Sequence, residues 1–199
     1  MTTTFYLIRH GLHDLLGRVL VGRMEGVPLN CSGREQAMRL ARSFIGRSLA
    51  LLQSSPCERA RQTAAPIAET LHLPLEIAPE VDEVDVGEWT GSPFESLAAD
   101  PRWKSWNEAR QSARAPGGES MREVRDRVIR HLDRLGSRYP NRHVGIVSHA
   151  DVIKVAVLHH LGLSLDAFDR IEIDASSITA LAIGDWGAKL LALNHTAAA

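Results

Sequence analysis

The chain has 199 residues, 44% hydrophobic and 24% charged, the composition of one soluble globular domain with enough apolar surface for a single core. With 23 basic and 24 acidic residues the net charge is −1, which argues against a broad basic surface for nucleic acid, and no apolar run approaches the roughly 20 residues that span a bilayer. Two cysteines, Cys31 and Cys57, are too few for a disulfide scaffold, and no signal-peptide pattern precedes the first apolar run, so a cytoplasmic setting is expected.

Thr4 to Ile8 is a short apolar run of the kind that forms a strand covered on both faces, and it ends at Arg9-His10-Gly11. Ser32 and Glu35 have capping-box spacing, and Ala37, Leu40, Ala41, Phe44 and Ile45 follow at helical intervals, which predicts a helix over 33–46. Leu49 to Gln53 reads as a second buried strand. Ser55 then caps a helix that starts at Pro56, carries Ala60, Ala64, Ile67, Ala68 and Leu71 on one face, and stops before Pro74. The segment 91–118 looks like a small lid-like insertion, in which Trp103 and Trp106 either line the lid or pack in the core. A capping box from Ser120 to Glu123 opens a helix with Met121, Val124, Val128, Leu132 and Leu135 on its apolar face. Val144 to Val147 is another strand, ending at Ser148-His149, and Val152 to Leu161 a buried helix. Ile171 to Ile173, Ile178 to Ile183 and Leu190 to Leu193 are expected strands, with Asn194-His195-Thr196 a tail beyond them. Strands and helices alternate, so the expected fold is α/β: a three-layer α/β/α sandwich around a mostly parallel sheet, one domain over 1–199.

In open α/β sheets, ligands bind beyond the carboxyl ends of the strands. Arg9 and His10 follow the first strand, Arg59 lies just after the second, and His149 ends the Val144 strand, so parallel neighbours would gather all four at one edge. Arginine forks and helix N-termini suit phosphoryl oxygens. Neighbouring cations also disfavour a protonated imidazole, which leaves one histidine neutral and nucleophilic. Each residue taken alone is a surface or strand-end group; four converging at one predicted edge point to a site.

The motifs resemble those of the histidine phosphatase superfamily, the phosphoglycerate mutase-like enzymes. Arg9-His10-Gly11 is similar to its RHG signature, Pro28 to Ala37 to PLxxxGxxQA, and Ser55 to Ala64 to SPLxRAxQTA. Glu83 to Gly91 resembles ExDxGxWxG, Pro116 to Ser120 PGGES, and Val147 to Ile153 VSHGGVI. The resemblance implies a metal-independent and cofactor-free phosphomonoester phosphatase acting on a small phosphorylated metabolite. It implies that His10 becomes a phosphohistidine, that Arg9, Arg59 and His149 hold the phosphoryl oxygens, and that Glu83 is the general acid and then the base. Gly11 and Ala150, beside the two histidines, are expected substrate-binding positions.

The departures concern substrate contacts. Leu12, His13 and Leu16 stand where family members often carry an acid-Thr pair and a phosphate-binding Asn, so His13 and Arg23, with Arg18 a third candidate, are expected to compensate. Ala150-Asp151 replaces the commoner Gly-Gly, and Asp151 is read as a cap for the following helix or a negative charge at the phosphate edge. Position 63 is Thr, which removes a cysteine-phosphatase loop at Cys57, and P-loop, Rossmann and zincin motifs are absent. His159-His160 reads as structural. Two other readings stand beside the hydrolase: a phosphoglycerate mutase-type phosphotransferase, and a catalytically weak phospho-ligand binding protein. Neither the leaving group nor the oligomeric state is legible.

Overall fold

A computed structural model describes residues 1–196. The elements run β1 (Thr2–Arg9), β2 (Val19–Leu20), α1 (Cys31–Ser43), β3 (Leu51–Ser54), α2 (Glu58–Leu71), β4 (Leu75–Ile77), β5 (Ser92–Pro93), α3 (Phe94–Leu97) and α4 (Pro101–Glu108). They continue with α5 (Met121–Arg138), β6 (His143–Ser148), α6 (Ala150–His160), β7 (Ser177–Gly184) and β8 (Gly187–Thr196). Six strands form the main sheet in the order β4-β3-β6-β1-β7-β8; the first four are parallel, and β7 and β8 are antiparallel. No helix among the described residues is long and apolar enough to cross a membrane.

Period-two alternation in the central strands supplies both cores. Ile8, Leu52 and Val147 face α1 and α2, where they meet Leu40, Phe44, Ala60, Ala64 and Ile67. Phe5, Leu7, Val144 and Ile146 face α5 and α6, against Val128, Leu132, Val155 and Leu158. These are the three layers expected from the alternating pattern.

Register then aligns the strand ends. Arg9 pairs with Ser148 and Ser54 with Val147, so β1, β3 and β6 finish side by side, and the chain leaves each of them toward the same edge.

Several local expectations are corrected. Helix α1 is capped by Asn30, whose side chain accepts from Gly33 N; Ser32 lies inside the helix, and Asn30 satisfies the orphan donor from one position before its first turn. Helix α2 starts at Glu58 with no side-chain cap from Cys57, and the Ser55 hydroxyl, which accepts from Cys57 N–H at 3.2 Å, also donates to Asp82 in a polar cluster at the strand ends. It ends at His72 in a left-handed conformation, before Pro74 is reached. Ile171 and Ile173 are buried but form no strand; the Ile173 carbonyl accepts from the Arg9 guanidinium at 2.6 Å instead of joining a ladder. Asn194 to Thr196 end β8 rather than trail from it, and residues 197–199 of the expected domain lie outside the described residues. The Ser120 capping box forms with both reciprocal bonds.

The 91–118 segment folds into β5, α3 and α4 and packs on the body of the domain. Trp89 meets Trp103 at 5.3 Å and Trp106 at 6.0 Å in edge-on contacts, and its indole N–H donates to Asp100. Trp106 is buried, and neither Trp103 nor Trp106 borders the cleft described below; Phe94, tilted against Trp103 at 6.0 Å, does.

Candidate active site

The loop after β1 is held by close backbone approaches. Gly11 N–H donates to the Thr63 hydroxyl on α2, which in turn donates to the Arg59 carbonyl. Leu12 N–H donates to the Gln36 side chain, and a Cβ on Gly33 would stand 2.0 Å from the Leu12 carbonyl oxygen. The first turn of α1 therefore seats directly against the loop that carries His10.

His10 is 3% exposed. Its Nδ1–H donates to the Gly11 carbonyl at 2.8 Å, which fixes the tautomer and leaves the Nε2 lone pair facing the Arg59 Nε–H at 3.3 Å. Burial first, and then the Arg59 and Arg9 charges, push its pKa well below the usual imidazole value, so the ring is neutral. Arg59 is buried; its NH2 donates to the Gly22 carbonyl at 2.7 Å and lies 3.2 Å from His149 Nδ1. Four buried guanidinium nitrogens have no hydrogen-bond partner among the described residues, and two of them, Arg9 Nε and Arg59 Nη1, lie at this site, the other two belonging to Arg110. Unsatisfied charged donors beside a neutral imidazole suit an anion with several acceptor oxygens.

His149 packs 5.1 Å from the His10 ring, fully buried. The Ser55 hydroxyl donates to Asp82 Oδ1 at 2.8 Å, so it accepts from His149 Nε2–H at 2.8 Å, and His149 Nδ1 is left as the acceptor for Arg59. Burial, then Arg59 and His10, hold this imidazole neutral as well. Glu83 Oε2 lies 3.4 Å from His149 Nδ1, and Glu83 Oε1 accepts from Val84 N–H. Burial and the nearby Asp151 charge push the Glu83 carboxyl up to about 7 against the opposing pull of Arg59 and Arg9.

The backbone of Glu83 is clamped from behind. Arg23 Nε donates to its carbonyl at 2.8 Å and Arg127 NH2 at 3.1 Å, and Glu119 accepts from both arginines at 2.8 and 2.9 Å. Arg23 thus supports Glu83 and borders a separate cavity of about 410 Å³ with Cys57, Arg61 and Asp82, not the cleft that His10 and Glu83 share. Arg18 is exposed. His13 is buried, 5.4 Å from the His10 ring and held neutral with a pKa lowered to about 4, chiefly by burial. It lines the cleft with Ala150, while Leu16 contributes an apolar wall. The cleft measures about 130 Å³.

Sequence reasoning brought Arg9, His10, Arg59, Glu83 and His149 to one place, and the structure gathers all five there. It missed Ser55, Thr63 and Asp82 as organising residues. Ser55 and Thr63 lie inside the SPCERARQTA segment and Asp82 beside Glu83, so the signal was polar residues at fixed places in motifs read for other members. Cys57, Asp82 and His149 form one trio of metal-ligand type among the described residues. Its atoms are already committed to one another and to Ser55, and burial raises the Cys57 thiol to about 11, so the trio is suited to hydrogen bonds rather than to a cation.

The sequence pattern of the histidine phosphatase superfamily (branch 1) matches residues 5–196. The chain belongs to that family. It is 28% identical over 194 residues to the adenosylcobalamin/alpha-ribazole phosphatase of Escherichia coli (strain K12), covering 96% of each chain. It is 29% identical over 181 residues to phosphoserine phosphatase 1 of Hydrogenobacter thermophilus, covering 88% of this chain and 86% of that one. Among solved structures, a putative alpha-ribazole-5'-P phosphatase from Escherichia coli superposes with a TM-score of 0.87 at 26% identity over 99% of both chains. The chain therefore shares its fold with a solved phosphatase and its family with phosphatases of differing named substrates.

Proposed function

We propose that the protein hydrolyses small phosphomonoesters through a phosphohistidine at His10 Nε2, without a metal ion. The observation that carries this reading is the His10 tautomer: the Gly11 carbonyl takes Nδ1–H, so Nε2 carries the lone pair and holds it toward the Arg59 Nε–H at 3.3 Å. In the first step Nε2 forms a bond to phosphorus as the bond to the ester oxygen breaks, and Glu83 gives its proton to the departing alkoxide. A carboxyl with a pKa near 7 is suited to that transfer at neutral pH. In the second step the Glu83 carboxylate takes a proton from water, the water oxygen bonds to phosphorus, and the P–N pair returns to Nε2 with release of inorganic phosphate. Arg9 and Arg59 would stabilise the equatorial oxygens, a role suited to preorganised donors in a buried site, and His149 would join them on taking a proton at Nδ1, which a bound phosphoryl dianion favours. His13, Gly11 and Ala150 would contact the substrate at the rim. The free thiols Cys31 and Cys57 fit action in the reducing cytoplasm.

The test is rapid quench with a ³²P-labelled phosphomonoester in EDTA. An acid-labile, alkali-stable phosphoprotein that forms at the rate of turnover and is lost in His10→Ala is expected. Undiminished turnover in His10→Ala would sink the mechanism, and phosphate binding without turnover in the wild type would favour a phospho-ligand binding protein.

A further inference from the structure

The cleft that holds His10 is lined by Arg9, by the neutral His10 and His13 rings and by an apolar set, and of its two acidic residues, Glu83 and Asp151, the mechanism uses Glu83 alone. Leu16, Val19, Leu20, Val84, Val86 and Phe94 supply its apolar lining. Arg9 lines the cleft and Arg59 donates to His10 Nε2, and the proposed mechanism commits both to the phosphoryl group. Asp151, the second residue of α6, borders the same space.

Asp151 is not the cap of α6. His149 occupies that position with no side-chain cap bond, and the Asp151 carboxylate makes no hydrogen bond or ion pair among the described residues. It is a free carboxylate on the wall of a narrow cleft, close enough that its charge is felt at both Glu83 and Arg9. The other cation that feels it, Arg110, does not line the cleft; it stacks over Trp106 and Phe168 and donates to Asn107, while its Nε and Nη1 stay buried and without a partner among the described residues, behind the cleft lining rather than on it. A second anion on the substrate would therefore face Asp151 with no cation of its own.

We propose that Asp151 is a specificity residue that makes the cleft reject phosphoesters bearing a carboxylate near the ester carbon and accept neutral or ammonium-bearing alcohols as leaving groups. The proposal rests on the hydrolase reading and narrows it to a substrate class. Like charges a few ångströms apart in a partly desolvated cleft repel strongly, so one carboxylate should cost at least about tenfold in kcat/KM.

Matched substrate pairs test this: ethanolamine phosphate against phosphoserine, and glycerol 3-phosphate against 3-phosphoglycerate, with wild type and Asp151→Asn. The wild type is expected to favour the uncarboxylated member of each pair by about tenfold or more. Asp151→Asn should close most of that gap, chiefly through KM for the carboxylated member. A structural role would move both members together. The same variant should also shift the alkaline limb of the pH profile downward, since Glu83 would then face Arg59 and Arg9 without the opposing carboxylate. Equal wild-type rates within pairs, or a ratio unchanged by Asp151→Asn, would overturn the proposal. If the wild type turns over none of the four esters, the hydrolase reading fails by itself. The ratio is then read from the dissociation constants of the same pairs measured by calorimetry on His10→Ala and on His10→Ala with Asp151→Asn.

Discussion

Glu83 carries the sharpest expectation at the scale of single residues, because its two roles separate with the leaving group. An alkyl alcohol needs the Glu83 proton, whereas p-nitrophenol departs without one. Glu83→Gln should therefore lower kcat/KM for an alkyl phosphomonoester by about 10²–10⁴-fold. With p-nitrophenyl phosphate it should give a burst of about one equivalent of nitrophenol followed by slow release, since the amide cannot activate water; stopped-flow absorbance reads this directly. For the wild type the alkyl-ester rate should fall as pH rises through about 7, where Glu83 loses its proton, with no matching acid limb from His10 down to pH 5 because that ring is already neutral. A flat alkaline limb would remove Glu83 from the acid role. The five central side chains were legible because motif order and strand ends pointed to one edge. The direction of Arg23 was not, because a loop arginine's partner is set by the neighbouring loops, here Glu119 and the Glu83 carbonyl, and no local spacing encodes that.

Two contacts between elements hold the site in shape. A Cβ on Gly33 would collide with the Leu12 carbonyl, which is backbone and cannot swing aside. Gly33→Ala should therefore cost about 1–3 kcal/mol in urea unfolding and disturb the His10 loop, seen as a fall in kcat. The Glu119 clamp joins the loops at 83–85 and 116–119 to α5. Glu119→Gln removes one end of the charge-assisted bonds from Arg23 and Arg127, for an expected loss of about 2 kcal/mol and a lower kcat, while His10 is untouched. Unchanged stability and rate would show that the clamp is dispensable. Element type was readable wherever periodicity was long, as in α5 with its capping box, or where an apolar run was short and punctuated, as in β1 and β6. It failed at Ile171 to Ile173, where burial without a ladder looks in sequence like a strand, and at Ser32, where a better cap stood two residues earlier at Asn30. Such outcomes depend on which partner a backbone group meets in three dimensions.

For the molecule as a whole, the buried neutral histidines link the site to acid stability. His10, His13 and His149 all have folded pKa values below the unfolded value, so the unfolded chain binds more protons and stability is lost as pH falls below about 6.5. Glu83 acts in the opposite sense between its unfolded value near 4.5 and about 7, gaining stability as pH falls. His160, lowered to about 4, and His131, lowered as well, act in the same sense, so at least four protons stand against one and unfolding free energy should drop by about 4 kcal/mol per unit between pH 6 and 5. Urea titrations at stepped pH measure the slope, and inorganic phosphate should raise stability throughout by binding the folded state alone. A slope of zero would mean that these rings are protonated in the fold. The tryptophans offer a separate view of the same body. Trp89, Trp103 and Trp106 form one packed cluster joined through Phe94 to the cleft wall, while the fourth, Trp186, stands in the β7–β8 turn. A Trp186→Phe chain would emit from that cluster alone, so its intrinsic fluorescence becomes a label-free optical reporter of whether the cleft is filled.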